Sequence, residues 1–169
     1  MAITVEDGSS NPLAESYASV TTADAYHALR GNILWTGDDP TKEAALRKAT
    51  TFMDGTYRTR YIGRKRDPNQ RLAWPRINAV DLDGWLRPLD SLPPEVVDAC
   101  CEAALRSIEG NVAPDVINSG VVTYFRDKVG PLEQETHYLG GDLRTRYLGI
   151  EDILSGIVRG RGSVELVRS

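Results

Sequence analysis

Residues 39 to 57 read DPTKEAALRKATTFMDGTY, and the spacing of their apolar groups decides the fold class. Ala45, Leu46, Ala49, Phe52, Met53 and Tyr57 recur every three or four positions, which draws one apolar face on a helix. Lys42, Glu43, Arg47 and Lys48 take the remaining surface. Asp39 is placed to cap this helix, Pro40 suits its first turn, and Glu43 faces the positive end of the dipole. The apolar face is small near Ala45 and Ala49 and bulky near Tyr57, which predicts close approach to a second helix at the small end.

Upstream, a shorter helix is expected from Thr21 or Thr22, with Thr21 and Asp24 approximating a capping box. Its stripe is Ala23, Tyr26 and Leu29, and Gly31 supplies the stop. Before it, MAITVEDGSSNP has few large apolar groups, so residues 1–20 are expected as an extended arm. Downstream, SLPPEVVDACCEAALRSIEG predicts a third helix from Pro93 to Glu109, with Val97, Cys100, Cys101, Ala104, Leu105 and Ile108 buried and Gly110 as its end. VVTYFRDKVGPLEQETHYL then alternates as two strands joined through Gly130-Pro131. A short helical piece is expected over residues 150–157. The fold class is therefore mainly α: a small helical bundle with a minor β-hairpin or extended segment. The bundle spans residues 21–157, and a tail follows from 158 to 169.

Composition is that of an ordinary globular chain. Of 169 residues, 41% are hydrophobic and 26% charged, and one domain is expected. No apolar run nears the roughly 20 residues needed to cross a bilayer, and the first residues do not read as a secretory signal, so no membrane partner is expected. Cys100 and Cys101 are neighbours on a helix and point about 100° apart, which places them poorly for a mutual disulfide. They read as a reduced pair with at least one thiol in the core.

The net charge of −4 is unevenly distributed. Arg58, Arg60, Arg64, Lys65, Arg66, Arg71 and Arg76 stand against the single acid Asp67, so this segment carries +6 and the other 150 residues carry −10. A basic segment containing Tyr61 and Trp74 can be read as a nucleic-acid grip, with phosphates on the cations and a base stacked on a ring. It can also be read as a charged loop closed by Leu72, Ala73 and Trp74, with Trp74 and Pro75 as a structural anchor. Proline after Trp74 biases it away from helix, and an acidic body is not the footprint of a dedicated nucleic-acid binder. The anchor is favoured for Trp74, and the neighbouring charges are then free to meet a protein partner or another subunit.

No catalytic pattern emerges. His27 and His137 share no motif, GDLRTRYLG lacks a phosphate-loop lysine, and no helix carries metal-ligand spacing. Asp81 and Asp83 read as solvated loop acids. No enzyme activity, metal or cofactor is expected.

The ordered set SYASVTTADAYHALRGN, KEAALRKATTFMDGTY, RLAWPR, LPPEVVDACCEAAL and VGPLEQETHY resembles the tailed-phage proteins labelled DnaT-like single-stranded DNA-binding proteins. These are similar to the helical head-to-tail connector, or adaptor, group. The resemblance runs over roughly residues 5–157 and includes no catalytic fingerprint. It implies a virion protein that forms a ring, usually a dodecamer, beneath the portal. Such a ring extends the channel for double-stranded DNA and offers a platform to a stopper or tail component, after assembly in the host cytoplasm. It also implies portal contact through the C-terminal tail, here Arg159, Arg161, Val164, Leu166, Val167 and Arg168, whose alternation suits adding a strand to a partner's sheet edge. Two other readings stand beside it: a single-stranded DNA-binding accessory of phage replication using residues 58–76, and a host regulator that binds a helical partner.

Overall fold

The computed structural model describes residues 2–110, 112, 121–128, 133–139 and 147–160. Four helices carry the main unit: α1 (Val20–Leu29), α2 (Asp39–Tyr57), α3 (Pro94–Glu109) and α4 (Leu148–Leu154). A two-residue ladder, β1 (Arg64–Lys65) against β2 (Arg76–Ile77), closes the basic segment. The mainly α class with a small antiparallel hairpin is as expected. That hairpin pairs β3 (Val121–Lys128) with β4 (Glu133–Leu139), with an irregularity between Val122 and Tyr124. It belongs to a second compact unit, residues 113–146. The Gly130-Pro131 connection, His137's side chain and the tail residues Arg161, Val164, Leu166, Val167 and Arg168 lie outside what the structure describes.

Helix α2 packs mainly on α3, and small residues explain why they approach closely. Ala45, Leu46, Ala49, Thr50 and Met53 of α2 are buried, as are Val96, Ala99, Cys100, Ala103 and Ala104 of α3. The Thr50 hydroxyl lies 3.4 Å from the Cys100 sulfur across this contact. The buried line of α3 therefore includes Val96 and Ala99, while Val97, Leu105 and Ile108 are only partly covered. Size misled the expected stripe: the innermost line at a close helix crossing selects small side chains, and the large ones splay to its flanks. Both cysteines are buried and unbonded to each other, and burial raises the pKa of the Cys100 thiol.

Caps also shift by one or two residues. Ser19, not Thr21, caps α1 by accepting the Thr22 amide, and Asp38, not Asp39, caps α2 by accepting the Thr41 amide. Leu29, expected inside, is 87% exposed. Its place is taken from beyond the helix end: after Gly31 (φ +64) the chain turns and Trp35 stacks on buried His27, ring centroids 4.6 Å apart. Asn32 completes the turn with Nδ2 3.0 Å from His27 Nδ1. His27 is thus a core side chain, and burial lowers its pKa.

The N-terminal segment, residues 2–19, contains no helix, as expected of an arm, and it packs against the bundle. Ala14, Tyr17 and Ala18 are buried, and Val5 bridges Ser16. Its organiser is Glu6, 1% exposed, whose carboxylate accepts the amides of Gly8 (2.9 Å), Ser10 (3.0 Å) and Asn11 (2.9 Å). Three amides on one buried carboxylate turn a sequence that reads as a loose arm into a fixed loop. Gly8 (φ +102) completes it, because a Cβ there would collide with the Asp90 carbonyl.

Glu6→Ala leaves those three amides unpaired. A loss of about 2 kcal/mol in urea unfolding is expected, with hydrogen-exchange protection lost at Gly8, Ser10 and Asn11 and kept in α3. Full retention of protection at the three amides would contradict this account.

Candidate functional site

The seven cations of the basic segment do not form one surface. Arg76 is 7% exposed and sits in a cage of backbone oxygens. Its Nε donates to the Ile62 carbonyl (2.6 Å), Nη1 to Ala73 (3.2 Å), and Nη2 to Gly63 (2.7 Å) and Tyr61 (3.4 Å). Guanidinium suits this role because its planar fork presents five donors. Lys65 donates Nζ to the Gln70 carbonyl at 2.6 Å, and burial lowers its pKa. Arg66 donates Nη1 to the carbonyls of Gly8 (2.9 Å) and Leu89 (3.1 Å), tying the basic segment to the N-terminal loop. Arg60 donates Nε to the carbonyl of Arg159 at 3.0 Å, and the Arg159 amide donates to the Arg60 carbonyl at 2.8 Å. Four of the seven are thus engaged as braces within the chain.

Arg58, Arg64 and Arg71 are exposed, and their side chains make no hydrogen bond or ion pair among the described residues. Arg58 and Arg71 border a shallow groove of about 450 Å³ that also holds Glu15, Asp54, Thr51 and Thr59. Two carboxylates beside two guanidiniums leave the groove close to neutral, a poor track for a phosphate backbone.

Trp74 is fully buried, with its ring edge-on to Tyr61 at 5.8 Å, and the Trp74–Pro75 peptide is cis. Tyr61 is buried too. Neither ring is open to stack on a base. What holds Trp74 inside is a polar knot that the sequence did not advertise. Asp54 of α2 accepts the Tyr17 hydroxyl at 2.6 Å and the Ala73 amide at 2.8 Å. The same hydroxyl oxygen accepts the amides of Ala73 (2.9 Å) and Trp74 (3.2 Å). Gln70, 2% exposed, donates Nε2 to the Leu72 and Pro75 carbonyls and accepts the Asp67 amide. Burial raises the Asp54 pKa above the ordinary carboxylate value, against the opposing pull of the Tyr17 hydroxyl.

Sequence inspection passed over one more surface. The polar-looking stretch NAVDLDGWLRPLDS carries Leu82 (81% exposed), Trp85 (72%) and Leu86 (66%) outward. The signal was present as three large apolar residues among turn formers. Among the described residues, no group of three or more His, Cys, Asp or Glu is placed to hold a metal ion. Nor is any described helix long and apolar enough to cross a membrane.

These elements make a small helical bundle whose basic segment is folded into its own structure. A family model described as "Putative DnaT-like ssDNA binding protein" matches residues 1–169. The chain belongs to that family. No curated protein and no solved structure matches it.

Arg76→Met should cost about 3 kcal/mol in urea unfolding, since four carbonyls lose a charged donor. Replacing Arg58, Arg64 and Arg71 together by Ser should stay within about 0.5 kcal/mol of the parent. A loss in the triple variant as large as in Arg76→Met would refute the division into braces and free cations.

Asp54 predicts a pH effect of definite sign. Its folded pKa lies above the unfolded one, so folding favours the protonated form. This group's contribution is best at low pH and is lost as pH rises through the unfolded value of about 3.8 and on through the raised folded value. Relative to Asp54→Asn, the wild type should therefore gain stability as pH falls through that window. Paired urea midpoints across acid pH check this; a gap moving the other way would sink it.

Proposed function

We propose that this chain is a non-enzymatic structural protein of a tailed-phage virion, the head-to-tail connector resembled by its ordered motifs. It forms a ring under the portal and docks the next connector or tail component while double-stranded DNA passes through the channel. The observation that carries this reading is the fate of the basic segment. Arg60, Lys65, Arg66 and Arg76 hold backbone carbonyls of their own chain, and Trp74 and Tyr61 are buried. A segment used as an internal brace leaves little for a strand of DNA to grip. The net charge of −4 agrees, because an acidic wall does not retain DNA that must slide. Portal contact is assigned to residues 159–169, where Val164 and Leu166 alternate with Glu165 and would add a strand to a sheet edge.

A second reading, a single-stranded DNA-binding accessory of phage replication, is the one that the family's description favours. Its structural support is the exposed set Arg58, Arg64 and Arg71. Phosphate contact by these three would make affinity fall steeply with salt.

Co-expression with the portal protein of the same genome, followed by electron microscopy, separates the two. A second ring stacked on the portal is expected, and deletion of residues 160–169 should abolish it while leaving the helical fold intact. A bare portal, together with salt-sensitive binding to single strands that Arg58, Arg64 and Arg71 to Ser removes, would replace the connector reading by the second.

A further inference from the structure

Residues 113–146 form a compact unit of their own, and its described part is one ribbon, β3 (Val121–Lys128) against β4 (Glu133–Leu139). Among the described residues no third strand adjoins either edge. A two-stranded ribbon is barely stable alone in water, and each outer edge is a row of backbone donors and acceptors ready for another strand. The register says which strand fits. Tyr124 stands opposite His137, Arg126 opposite Glu135 and Lys128 opposite Glu133; Phe125 opposite Thr136 and Asp127 opposite Gln134 alternate with them. Alternate residues of a strand share a face. One face of the ribbon therefore carries Arg126 and Lys128 along β3, and Glu133 and Glu135 along β4. Asp127 falls on the other face.

The two outer edges thus differ in sign. On that face β3 holds two cations and no acid, and β4 two carboxylates and no lysine or arginine. Charge along an edge ordinarily blocks the addition of a strand. Charge of opposite sign on the two edges blocks only like with like. Laying β4 on the β4 of a second copy at full overlap sets Glu133 opposite Leu139 and Glu135 opposite His137, which gives the carboxylates no lysine or arginine. Laying β3 on β3 gives Arg126 and Lys128 no carboxylate on that face. Laying β4 on the β3 of a second copy, without slip along the strand, sets Glu135 opposite Arg126 and Glu133 opposite Lys128 once more. Oppositely charged residues directly across a ladder stabilise it, and like charges there destabilise it. This third arrangement also keeps every neighbouring pair antiparallel, and each added copy leaves the same β4 edge open for the next.

We propose that copies of this chain join through their ribbons, the β4 edge of one adding to the β3 edge of the next, with Glu133 and Glu135 in register with Lys128 and Arg126. Main-chain hydrogen bonds supply the attraction, and the charged rows fix which edge is taken and in what register. The contact uses a different surface on each side. Repetition by a constant rotation that closes gives a ring, and one that does not close gives an open array. The contact supplies a subunit interface that the connector reading requires, and it rests on that reading only there.

The test is sorting between the wild type and a full chain with the two rows exchanged: Arg126→Glu and Lys128→Glu together with Glu133→Lys and Glu135→Lys. The exchange keeps opposite charges facing each other within each ribbon, so either protein alone should associate as concentration rises. A mixed contact sets like charges opposite each other in both rows. Tagged wild type and untagged variant are mixed while dilute, concentrated together and captured by the tag. Mixed contacts are expected to be at least about 10-fold rarer than like-with-like ones, with the bias fading as salt is raised. Urea midpoints serve as the folding control. Arg126→Glu with Glu135→Lys, which exchanges one pair, carries the same test should the fourfold variant fail that control. Free mixing would place the contact elsewhere, and preferential mixing would mean that like edges pair. Wild type that stays monomeric to its solubility limit would leave no contact, and each of these three outcomes overturns the proposal. A ring formed on the portal by the Glu133→Lys, Glu135→Lys chain as readily as by the wild type would discard this contact and keep the connector. Sorting in solution with a bare portal would do the reverse.

Discussion

One buried guanidinium governs how the middle of this chain is arranged. Arg76 offers its donors to the carbonyls of Tyr61, Ile62, Gly63 and Ala73, four backbone groups that belong to no helix or long strand. Buried carbonyls without partners are costly, and irregular backbone cannot satisfy them by itself. Arg76 does so from one point, and the segment from the end of α2 to β2 can then be both irregular and buried. Trp74 and Tyr61 pack inside as a consequence, and the Tyr17–Asp54 pair receives the amides of Ala73 and Trp74 from the other side.

The same constraint changes the meaning of the charge pattern. A count of charges along residues 58–76 shows a basic belt, yet the belt is divided by direction. Arg60, Lys65, Arg66 and Arg76 reach carbonyls within the chain, while Arg58, Arg64 and Arg71 face solvent. Long cationic side chains have apolar stems that cross a core boundary easily. Position in a sequence therefore says little about where the charge ends up. The outward half is too sparse, and too close to Glu15 and Asp54, to read as a continuous phosphate track. Large apolar side chains that do face solvent lie elsewhere, at Leu82, Trp85 and Leu86 and at Leu29, Ile33 and Leu34.

Legibility followed interaction range. Helix α2 was readable to within one residue at its start, since a nineteen-residue periodic stripe and its cap are local signals. Two strands were likewise readable from alternation, and β3 and β4 pair accordingly. The phase of α3 was not, because three helices cover it and small residues, invisible to a search for large apolar groups, occupy the closest crossing. Leu29 misled because its competitor for the core, Trp35, comes from the next turn. The N-terminal loop misled because a glutamate in a polar stretch reads as solvated, and only three convergent amides show Glu6 to be its organiser.

By itself, the sequence determined the class of the fold, the main helices, the strand pair and the uneven placement of charge. Each is set by contacts a few residues apart, within reach of periodicity and capping. Only the tertiary structure decided which cations are braces, that Asp54 and Tyr17 hold Trp74 inside, and that a stretch rich in aspartate presents Leu82, Trp85 and Leu86 to solvent. Those outcomes depend on which backbone groups converge on a side chain from distant parts of the chain. Burying or exposing a polar group depends on whether partners are there to meet it, and no one-dimensional pattern records that.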